Sequence, residues 1–232
     1  FENTGSPEAP SFQERGHMPL FTMYHYAPAL GDLDADGDLD MLVGTWNKGV
    51  AYYANLGTRE APNFVLQDTT LVKLTRGSNS TPALTDIDGD GDLDLFVGGR
   101  CRPGSYPSPV GSVILRNDNG QFVRDKRHDG VLREVGTVSA ALWTDLLDDN
   151  HPELVLACDP GLIRVYRNNG GSLEEATVEL GLGNRVGFWN SISAGDFNGD
   201  GKMDLVAGNI GINSAYELYD GNEITWYHGD LS

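Results

Sequence analysis

The sequence predicts an all-β protein built from repeated, four-stranded antiparallel sheets. Three observations lead to this prediction. A short aspartate-rich motif occurs four times, short β-branched apolar runs follow each copy, and thirty glycines and eleven prolines supply many turns. Tandem units of roughly 50 residues with four short strands are typical of propeller blades. We therefore predict a β-propeller with about four complete blades plus shared or partial terminal strands. A continuous solenoid is the weaker alternative.

The repeated motif is a loop of nine residues. In chain order the copies are loop one (32–40, DLDADGDLD), loop two (86–94, DIDGDGDLD), loop three (145–153, DLLDDNHPE) and loop four (196–204, DFNGDGKMD). Their first residues are 54, 59 and 51 positions apart. A run of small and apolar residues such as APALG precedes each loop, and a run such as MLVG follows it. Each loop is therefore expected to join the first two strands of a blade.

The flanking repeats divide the chain into approximate units. These are 1–20 (a partial blade), 21–73, 74–130, 131–181 and 182–221 (one blade each) and 222–232 (the start of a further blade). The opening FENTGSPEAPSF matches YANLGTREAPNF at 53–64, so the chain is expected to open at the outer strands of a blade. The closing ITWYHGDLS resembles the start of another unit. We expect a fragment of a larger propeller; the alternative is a ring in which the terminal strands share one blade.

The loops offer oxygen ligands at a spacing that suits calcium. Side-chain oxygens stand at positions 1, 3, 5 and 9, a backbone carbonyl is available at position 7, and a glycine at position 6 permits the sharp turn. Ca²⁺ takes six to eight such ligands. The expected set is Asp32, Asp34, Asp36, Asp38 and Asp40 in loop one, Asp86, Asp88, Asp90, Asp92 and Asp94 in loop two, and Asp196, Asn198, Asp200, Lys202 and Asp204 in loop four. Asp38, Asp92 and Lys202 are the carbonyl donors. About three calcium ions are therefore expected.

An EF-hand does not fit these loops. It requires glutamate at position 12, where Val43, Val97 and Ala207 stand, and the flanking segments are predicted strands instead of helices. Loop three departs from the pattern, because Leu147 removes the carboxylate at position 3 and Asn150 replaces the glycine. We expect loop three to hold no calcium and to form a changed turn with its own hydrogen bonds.

Composition narrows the class of partner. A formal net charge of −18 argues against nucleic acid, because phosphate binding requires a basic surface. No apolar run approaches the roughly 20 residues of a membrane-spanning helix.

The two cysteines, Cys101 and Cys158, are expected to be small buried residues, and a disulfide between them is the alternative. Extracellular calcium modules bind at about 10⁻⁴–10⁻³ M and would be empty in a cytosol. We expect a secreted, periplasmic or cell-surface location.

The stretches ALGDLDADGDLDMLVG and AGDFNGDGKMDLVAG resemble FG-GAP or VCBS repeats. These repeats form the calcium-binding propeller of integrin α-subunits and of bacterial proteins related to the UnbV/ASPIC group. The resemblance covers nearly the whole chain and implies the fold and calcium binding. It implies no single activity, because the same propeller serves adhesion, sugar binding and some lyases.

The face opposite the aspartate loops is the expected ligand surface. Half of the sixteen basic residues fall in or beside the loops of that face: Arg15, Lys48, Lys73, Arg76, Arg100, Arg102, Arg133 and Arg185. Aromatic and amide side chains join them, and such groups suit an anionic or carbohydrate ligand. The candidate ligand-binding residues are Trp46, Asn47, Arg76, Arg100, Arg102, Tyr106, Arg185, Trp189 and Asn190, and the long insertion 99–110 is the first candidate recognition loop. Packing between blades is the alternative role of Trp189 and Tyr26.

Three functions remain open from the sequence. The first is a binding or adhesion module for a protein or glycan ligand, without nucleic acid or membrane insertion. The second is a domain of a polysaccharide-active enzyme, lyase-like, with His25 and Tyr26 as the candidate catalytic pair. The third is a purely structural spacer held together by calcium.

Overall fold

The protein is a succession of antiparallel sheets in a computed structural model, which describes residues 1–14, 16–18, 20, 26–46, 49–72, 79–102 and 104–210. Blade one contains β3 (Ala27–Gly31), β4 (Asp40–Gly44), β5 (Val50–Asn55) and β6 (Phe64–Val72). Blade two contains β7 (Thr81–Thr85), β8 (Asp94–Gly98), β9 (Val113–Asp118) and β10 (Gln121–Arg124). Blade three contains β11 (Val138–Thr144), β12 (Glu153–Cys158), β13 (Ile163–Asn168) and β14 (Leu173–Glu175). Two-stranded sheets stand before and after them: β1 (Glu2–Asn3) with β2 (Phe12–Gln13), and β15 (Trp189–Gly195) with β16 (Asp204–Asn209), the described part of blade four.

The second strand of each complete blade is buried along its whole length. β4 reads DMLVG, β8 reads DLFVG and β12 reads ELVLAC, and every one of their residues is buried. Such nearly continuous apolar runs are typical of strands that are covered on both faces of the sheet. Each of these strands begins at the last residue of an aspartate loop. The loop therefore leads the chain from the first strand of the blade directly into its most buried strand.

The first strands of successive blades are neighbours. β3 packs against β7, β7 against β11, and β11 against β15, which places these strands around a common axis as in a propeller. Within the described residues the single helix is a 3-10 turn at Lys126–His128. The prediction of an all-β propeller with four-stranded antiparallel blades is confirmed.

The hydrophobic core lies between blades, and the aspartate loops contribute to it. Leu33, the second residue of loop one, packs in the cluster that joins blades one and two, with Leu42 and Leu95. Ile87 holds the same position in loop two and packs in the cluster between blades two and three, with Phe96 and Leu154. The apolar residue at position 2 thus anchors an otherwise polar loop to the interface between two sheets.

The hairpin at the start of the chain has the register of an outer blade hairpin. Asn3 pairs with Phe12 in β1–β2, as Asn55 pairs with Phe64 in β5–β6. The insertion in blade two is slightly longer than the expected 99–110, because β9 begins only at Val113. The predicted unit 222–232 and the last part of 182–221 lie outside the described residues.

Two observations concern the chain as a whole. Cys101 and Cys158 are not joined by a disulfide. Among the described residues, no helix has the length and the apolar character that crossing a bilayer requires.

Candidate calcium sites and the opposite face

The carboxylate at position 9 closes each aspartate loop. In all four loops it accepts a hydrogen bond from the backbone N–H of the second loop residue. The bonds run from Leu33 to Asp40 (3.2 Å), from Ile87 to Asp94 (3.1 Å), from Leu146 to Glu153 (2.9 Å) and from Phe197 to Asp204 (3.1 Å). The same bond therefore fixes the turn between the first two strands of every blade.

The carboxylate at position 1 gathers backbone N–H groups from the centre of the loop. Asp86 accepts from Gly89 (2.7 Å), Asp90 (3.1 Å) and Gly91 (3.0 Å). Asp196 makes the corresponding three bonds in loop four. Hydrogen bonds from the backbone, that of Gly201 foremost, lower the pKa of the Asp196 carboxyl. In loop four the backbone therefore favours the ionised form of Asp196.

Carboxylate oxygens converge in loops one and two. The converging groups, whose oxygens lie within 4.8 Å of one another, are Asp32, Asp34 and Asp36 in loop one and Asp86, Asp88 and Asp94 in loop two. The Oδ1 atoms of Asp32, Asp38 and Asp88 are buried and have no hydrogen-bond partner in the part of the chain that the structure describes. A buried oxygen without a partner is unfavourable, and a hard divalent cation would satisfy it. The oxygen-only donor set and the unpartnered oxygens fit Ca²⁺.

Asp40 has a larger structural role than its place in the motif indicates. Its side chain also accepts from the Asn55 N–H (2.8 Å) and the Tyr52 hydroxyl (3.3 Å). The residue is 2% exposed, and burial raises the pKa of its carboxyl. Asp40 does not belong to the converging group of loop one, so its contact with calcium stays a prediction.

The residues at position 7 use their side chains differently. Asp38 is expected to offer only its carbonyl, but its carboxylate is also buried, and burial followed by the charge of Asp36 raises its pKa. The Asp92 carboxylate accepts from the Asn119 N–H (2.8 Å) and so fixes the turn between β9 and β10. The Lys202 side chain is exposed, and its backbone N–H donates to Asp200 (2.9 Å).

In loop four the side chain at position 3 is an amide, that of Asn198, instead of a carboxylate. The Oδ1 atom of Asn198 accepts from the Asp200 N–H (2.8 Å), and its Nδ2 atom donates to Asp200 Oδ2 (3.3 Å). The described carboxylates of this loop are more exposed than those of loops one and two, and they form no converging group of three. Calcium in loop four stays a prediction.

Loop three keeps the backbone shape of the other loops, and the changed turn that we expected is not observed. Asp148 and Asn150 have φ values of 56° and 65°, and the glycines at the same positions of loop four, Gly199 and Gly201, have 80° and 83°. Asparagine and aspartate are the non-glycine residues that tolerate this left-handed region best. Asp145 accepts from the backbone of Asn150 (2.9 Å) and of the residue before it. Whether loop three lacks calcium stays a prediction.

Asparagines at the ends of the third strands connect neighbouring blades. Asn117 Nδ2 donates to the carbonyl of Leu33 in loop one (3.3 Å), and Asn168 Nδ2 donates to the carbonyl of Ile87 in loop two (3.0 Å). The backbone N–H of Asn117 donates in turn to Asp94 of loop two (2.8 Å). The sequence pattern did not predict these bonds between blades. Their signal in the sequence is an asparagine followed within three residues by glycine: NLG, NDNG and NNGG.

A polar cavity lies at the opposite ends of the first strands. It has a volume of about 140 Å³, and its lining includes Tyr26, Asn79, Arg100 and Ser139. The strand residues in its wall, such as Ala27 and Thr81, begin β3 and β7, whereas the aspartate loops follow the last residues of those strands. Five strand residues separate the two ends by about 14 Å. The cavity is therefore on the face opposite loops one and two.

Arg100 connects this cavity to a buried acid. Arg100 Nη2 forms an ion pair with Asp159 Oδ2, and the Tyr106 hydroxyl donates to Asp159 Oδ1 (3.0 Å). Asp159 is 2% exposed and belongs to the loop after β12 in blade three. The predicted residues Arg100 and Tyr106 thus meet on an acid that sequence reasoning did not select. The sequence feature that could have indicated Asp159 is its place, as an acid, on a face with many basic residues.

The remaining candidates on this face are dispersed. Trp46 is 42% exposed, and Arg102, Arg185 and Asn190 are exposed as well. Trp189 packs with the core cluster between blades three and four, and its ring N–H donates to the Arg185 carbonyl (3.1 Å). Its packing role is therefore observed. The predicted residues outside the described ranges are Asn47 and Arg76, together with His25, Arg15, Lys48 and Lys73.

The repeated loops of this chain match a known repeat family. Residues 32–97 and 145–207, together more than half of the chain, match the family model described as FG-GAP-like repeat. Human cartilage acidic protein 1 (Homo sapiens) is 24% identical over 147 residues, which are 62% of this chain and 22% of that protein. The crystal structure of the exotype rhamnogalacturonan lyase YesX aligns with a TM-score of 0.44 and 18% identity, over 89% of this chain and 41% of that one. Both alignments thus span less than half of the other protein. The chain belongs to the FG-GAP-like repeat family.

Proposed function

We propose that this propeller chain is a calcium-stabilised binding module that acts outside the cytosol. Calcium is held by loops one, two and four and has a structural role. The ligand, an anionic carbohydrate or a protein, binds on the face opposite these loops. The cavity that Arg100 and Asn79 line is the single observation that carries the binding proposal.

Two polar side chains in the lining of this cavity, Asn79 and Arg100, support a binding role. Asn79 Oδ1 and Arg100 Nε are both buried, and neither has a hydrogen-bond partner among the described residues. One is an acceptor and the other is a charge-bearing donor, so together they match a ligand group that both accepts and donates. Sugar hydroxyls have this property, and a sugar carboxylate would accept from the guanidinium. A cavity of about 140 Å³ admits one such group.

Tyr106, which donates to Asp159 beside Arg100, is not a candidate base. Burial, followed by the negative charge of Asp159, raises the pKa of the Tyr106 phenol far above neutral pH. The phenol therefore stays protonated and donates to Asp159, so it is not available as a base.

Calcium at loops one, two and four would satisfy the buried carboxylate oxygens and neutralise part of the charge of −18. Loop one would use Asp32, Asp34 and Asp36, and loop two would use Asp86, Asp88 and Asp94. The ion would supply a cross-link between the first two strands of a blade. Weak sites of this kind fill only where calcium is near millimolar, which supports a secreted, periplasmic or cell-surface location.

The experiment is a glycan array probed with the labelled chain in 2 mM calcium and again in EDTA, with a lyase assay on uronate polymers run in parallel. We expect binding to acidic glycans that falls in EDTA and falls in Trp46→Ala and Asn79→Ala. Arg124→Ala is the matched control, because Arg124 lies on an outer strand and pairs with Asp129 (2.9 Å). Binding that these variants leave unchanged would refute the proposed surface. Product formation would favour the enzymatic alternative, and silence in both assays would favour the structural spacer.

A further inference from the structure

One arginine reaches into an aspartate loop. Arg116 Nη2 forms an ion pair with Asp88 Oδ2 and lies 3.5 Å from Asp90 Oδ2. Both aspartates are expected calcium ligands of loop two. The Arg116 side chain is 34% exposed and that of Asp88 is 14% exposed, so the contact is partly shielded from water. A permanent cation therefore already occupies one edge of this loop.

Among the described residues, blades one and three have no equivalent contact. The pairings Met41–Tyr53, Leu95–Leu115 and Leu154–Tyr166 place the three third strands in one register. The residue after each of these partners is Ala54 in blade one, Arg116 in blade two and Arg167 in blade three. Ala54 cannot contact loop one with a charge, and between described residues no arginine or lysine forms an ion pair with that loop.

Arg167 shows what draws Arg116 toward its loop. Loop three has Leu147 at position 3, where loop two has Asp88. Arg167 turns instead to Glu179, with Nη2 2.9 Å from its Oε1. An arginine at this point of the third strand thus contacts the loop only in the blade that has a carboxylate at position 3.

We propose that Arg116 is a built-in competitor of calcium, which makes loop two a weaker calcium site than loop one. The inference rests on the proposed calcium function. Arg116 holds Asp88 through Oδ2 and lies beside Asp90 Oδ2, so the ion has to compete with the guanidinium for these two carboxylates, although Asp88 Oδ1 has no hydrogen-bond partner among the described residues. Arg116 also lowers the negative potential that attracts the ion. Among the described residues, loop one has no arginine that pairs with its carboxylates or lowers its negative potential.

A neighbouring cleft can receive the Arg116 side chain when calcium displaces it. A cleft of about 530 Å³ lies beside Arg116 and is lined by Asp118 and Asp125 as well as by Asp90. Arginine remains charged at any physiological pH, so the exposed Asp118 can accept it, whereas Asp125 already pairs with Arg127. Without calcium, Arg116 stabilises loop two against the repulsion of its five aspartates. The two loops therefore respond to falling calcium in order, and loop two empties first.

The test is a calcium titration by isothermal calorimetry in a parent chain that retains only loop two. Asp34→Ala with Asp36→Ala silences loop one, and Asn198→Ala with Asp200→Ala silences loop four. Arg116→Ala in this parent is expected to bind calcium about fivefold more tightly, as expected when a surface ion pair and one like charge are lost. Arg167→Ala is the matched control and is expected to leave the affinity unchanged.

A second measurement does not depend on the silenced loops. In the otherwise unchanged chain, Arg116→Ala is expected to lower the melting temperature in EDTA and to enlarge the increase that calcium produces. Calcium uptake that is equal in the parent and in Arg116→Ala would overturn the role of Arg116 alone. A parent and an unaltered chain that both take up no calcium would refute the calcium function itself, and the inference with it.

Discussion

The side-chain amide of Asn117 donates to the backbone carbonyl of Leu33 across the boundary between blades two and one, over 3.3 Å. Leu33 belongs to loop one, and the backbone N–H of Asn117 is held by Asp94 of loop two. The two acidic loops are thus joined by one residue that is 2% exposed. Asn168 repeats the bond between blade three and loop two. Loop geometry and packing between blades are parts of one hydrogen-bond network.

Removal of the Asn117 side chain is expected to destabilise the protein by about 1–3 kcal/mol, because the buried Leu33 carbonyl and the Gly120 N–H lose their partner. Urea unfolding in 2 mM calcium measures the change in the free energy of unfolding for Asn117→Ala. Asn190→Ala is the control, since Asn190 is exposed. Equal losses in the two variants would contradict a role for Asn117 between the blades.

Removal of calcium is expected to lower the melting temperature. Each site that binds with a dissociation constant of about 10⁻⁴ M adds roughly 2.7 kcal/mol at 10 mM calcium, because the ion binds only the folded loop. One kcal/mol corresponds to about 2–4 °C in a chain of this size, so several degrees per site are expected. Differential scanning calorimetry with calcium and with EDTA measures the difference. Identical melting temperatures would refute calcium binding.

The Arg100–Asp159 ion pair is expected to couple blades two and three. Arg100→Ala leaves a carboxylate that is 2% exposed without its cation, and a loss of about 2 kcal/mol is expected, since the partial exposure of Arg100 weakens the pair. The double variant Arg100→Ala with Asp159→Ala should lose less than the sum of the two single variants. Additive losses in a double-mutant cycle by urea unfolding would show that the pair contributes no coupling.

The stability of the protein is expected to decrease in mild acid because of His128. This side chain is 3% exposed, and burial lowers its pKa, although Asp125, 3.5 Å away, opposes the shift. A pKa lower in the folded than in the unfolded chain means that the contribution is complete above about pH 6.5 and is lost as the pH falls further. His128→Gln should therefore lose less stability than the unsubstituted chain between pH 7.5 and 5.5. Parallel pH curves from urea unfolding would exclude His128 as the cause.

Local sequence patterns were sufficient for the fold class and for the positions of the loops. Strand runs such as DMLVG and DLFVG are short, apolar and bounded by turns, so their type follows from their own composition. The shape of loop three did not follow, because the αL tolerance of Asp148 and Asn150 preserves a turn that glycine was expected to require. The backbone conformation of loop three depends on these two residues, which resemble glycine only in tolerating a positive φ.

The contacts between blades could not be read from the sequence. Leu33 and Asn117 are 84 residues apart and Arg100 and Asp159 are 59 apart, and the repeated asparagine–glycine pattern marks Asn117 without identifying the carbonyl that it contacts. The same limit applies to Arg116 and Arg167, which occupy equivalent positions and choose different partners. Their choice depends on which carboxylates the neighbouring loop and strand bring within reach.

By itself the sequence determined the repeat, the four-stranded antiparallel blade and the acidic loop that begins the second strand, because each depends on residues that are close along the chain. The packing of the sheets sets which carboxylates converge, which of them support the backbone, and which arginine contacts a loop. Those outcomes depend on distances between blades, and these are set by how the sheets pack around their common axis.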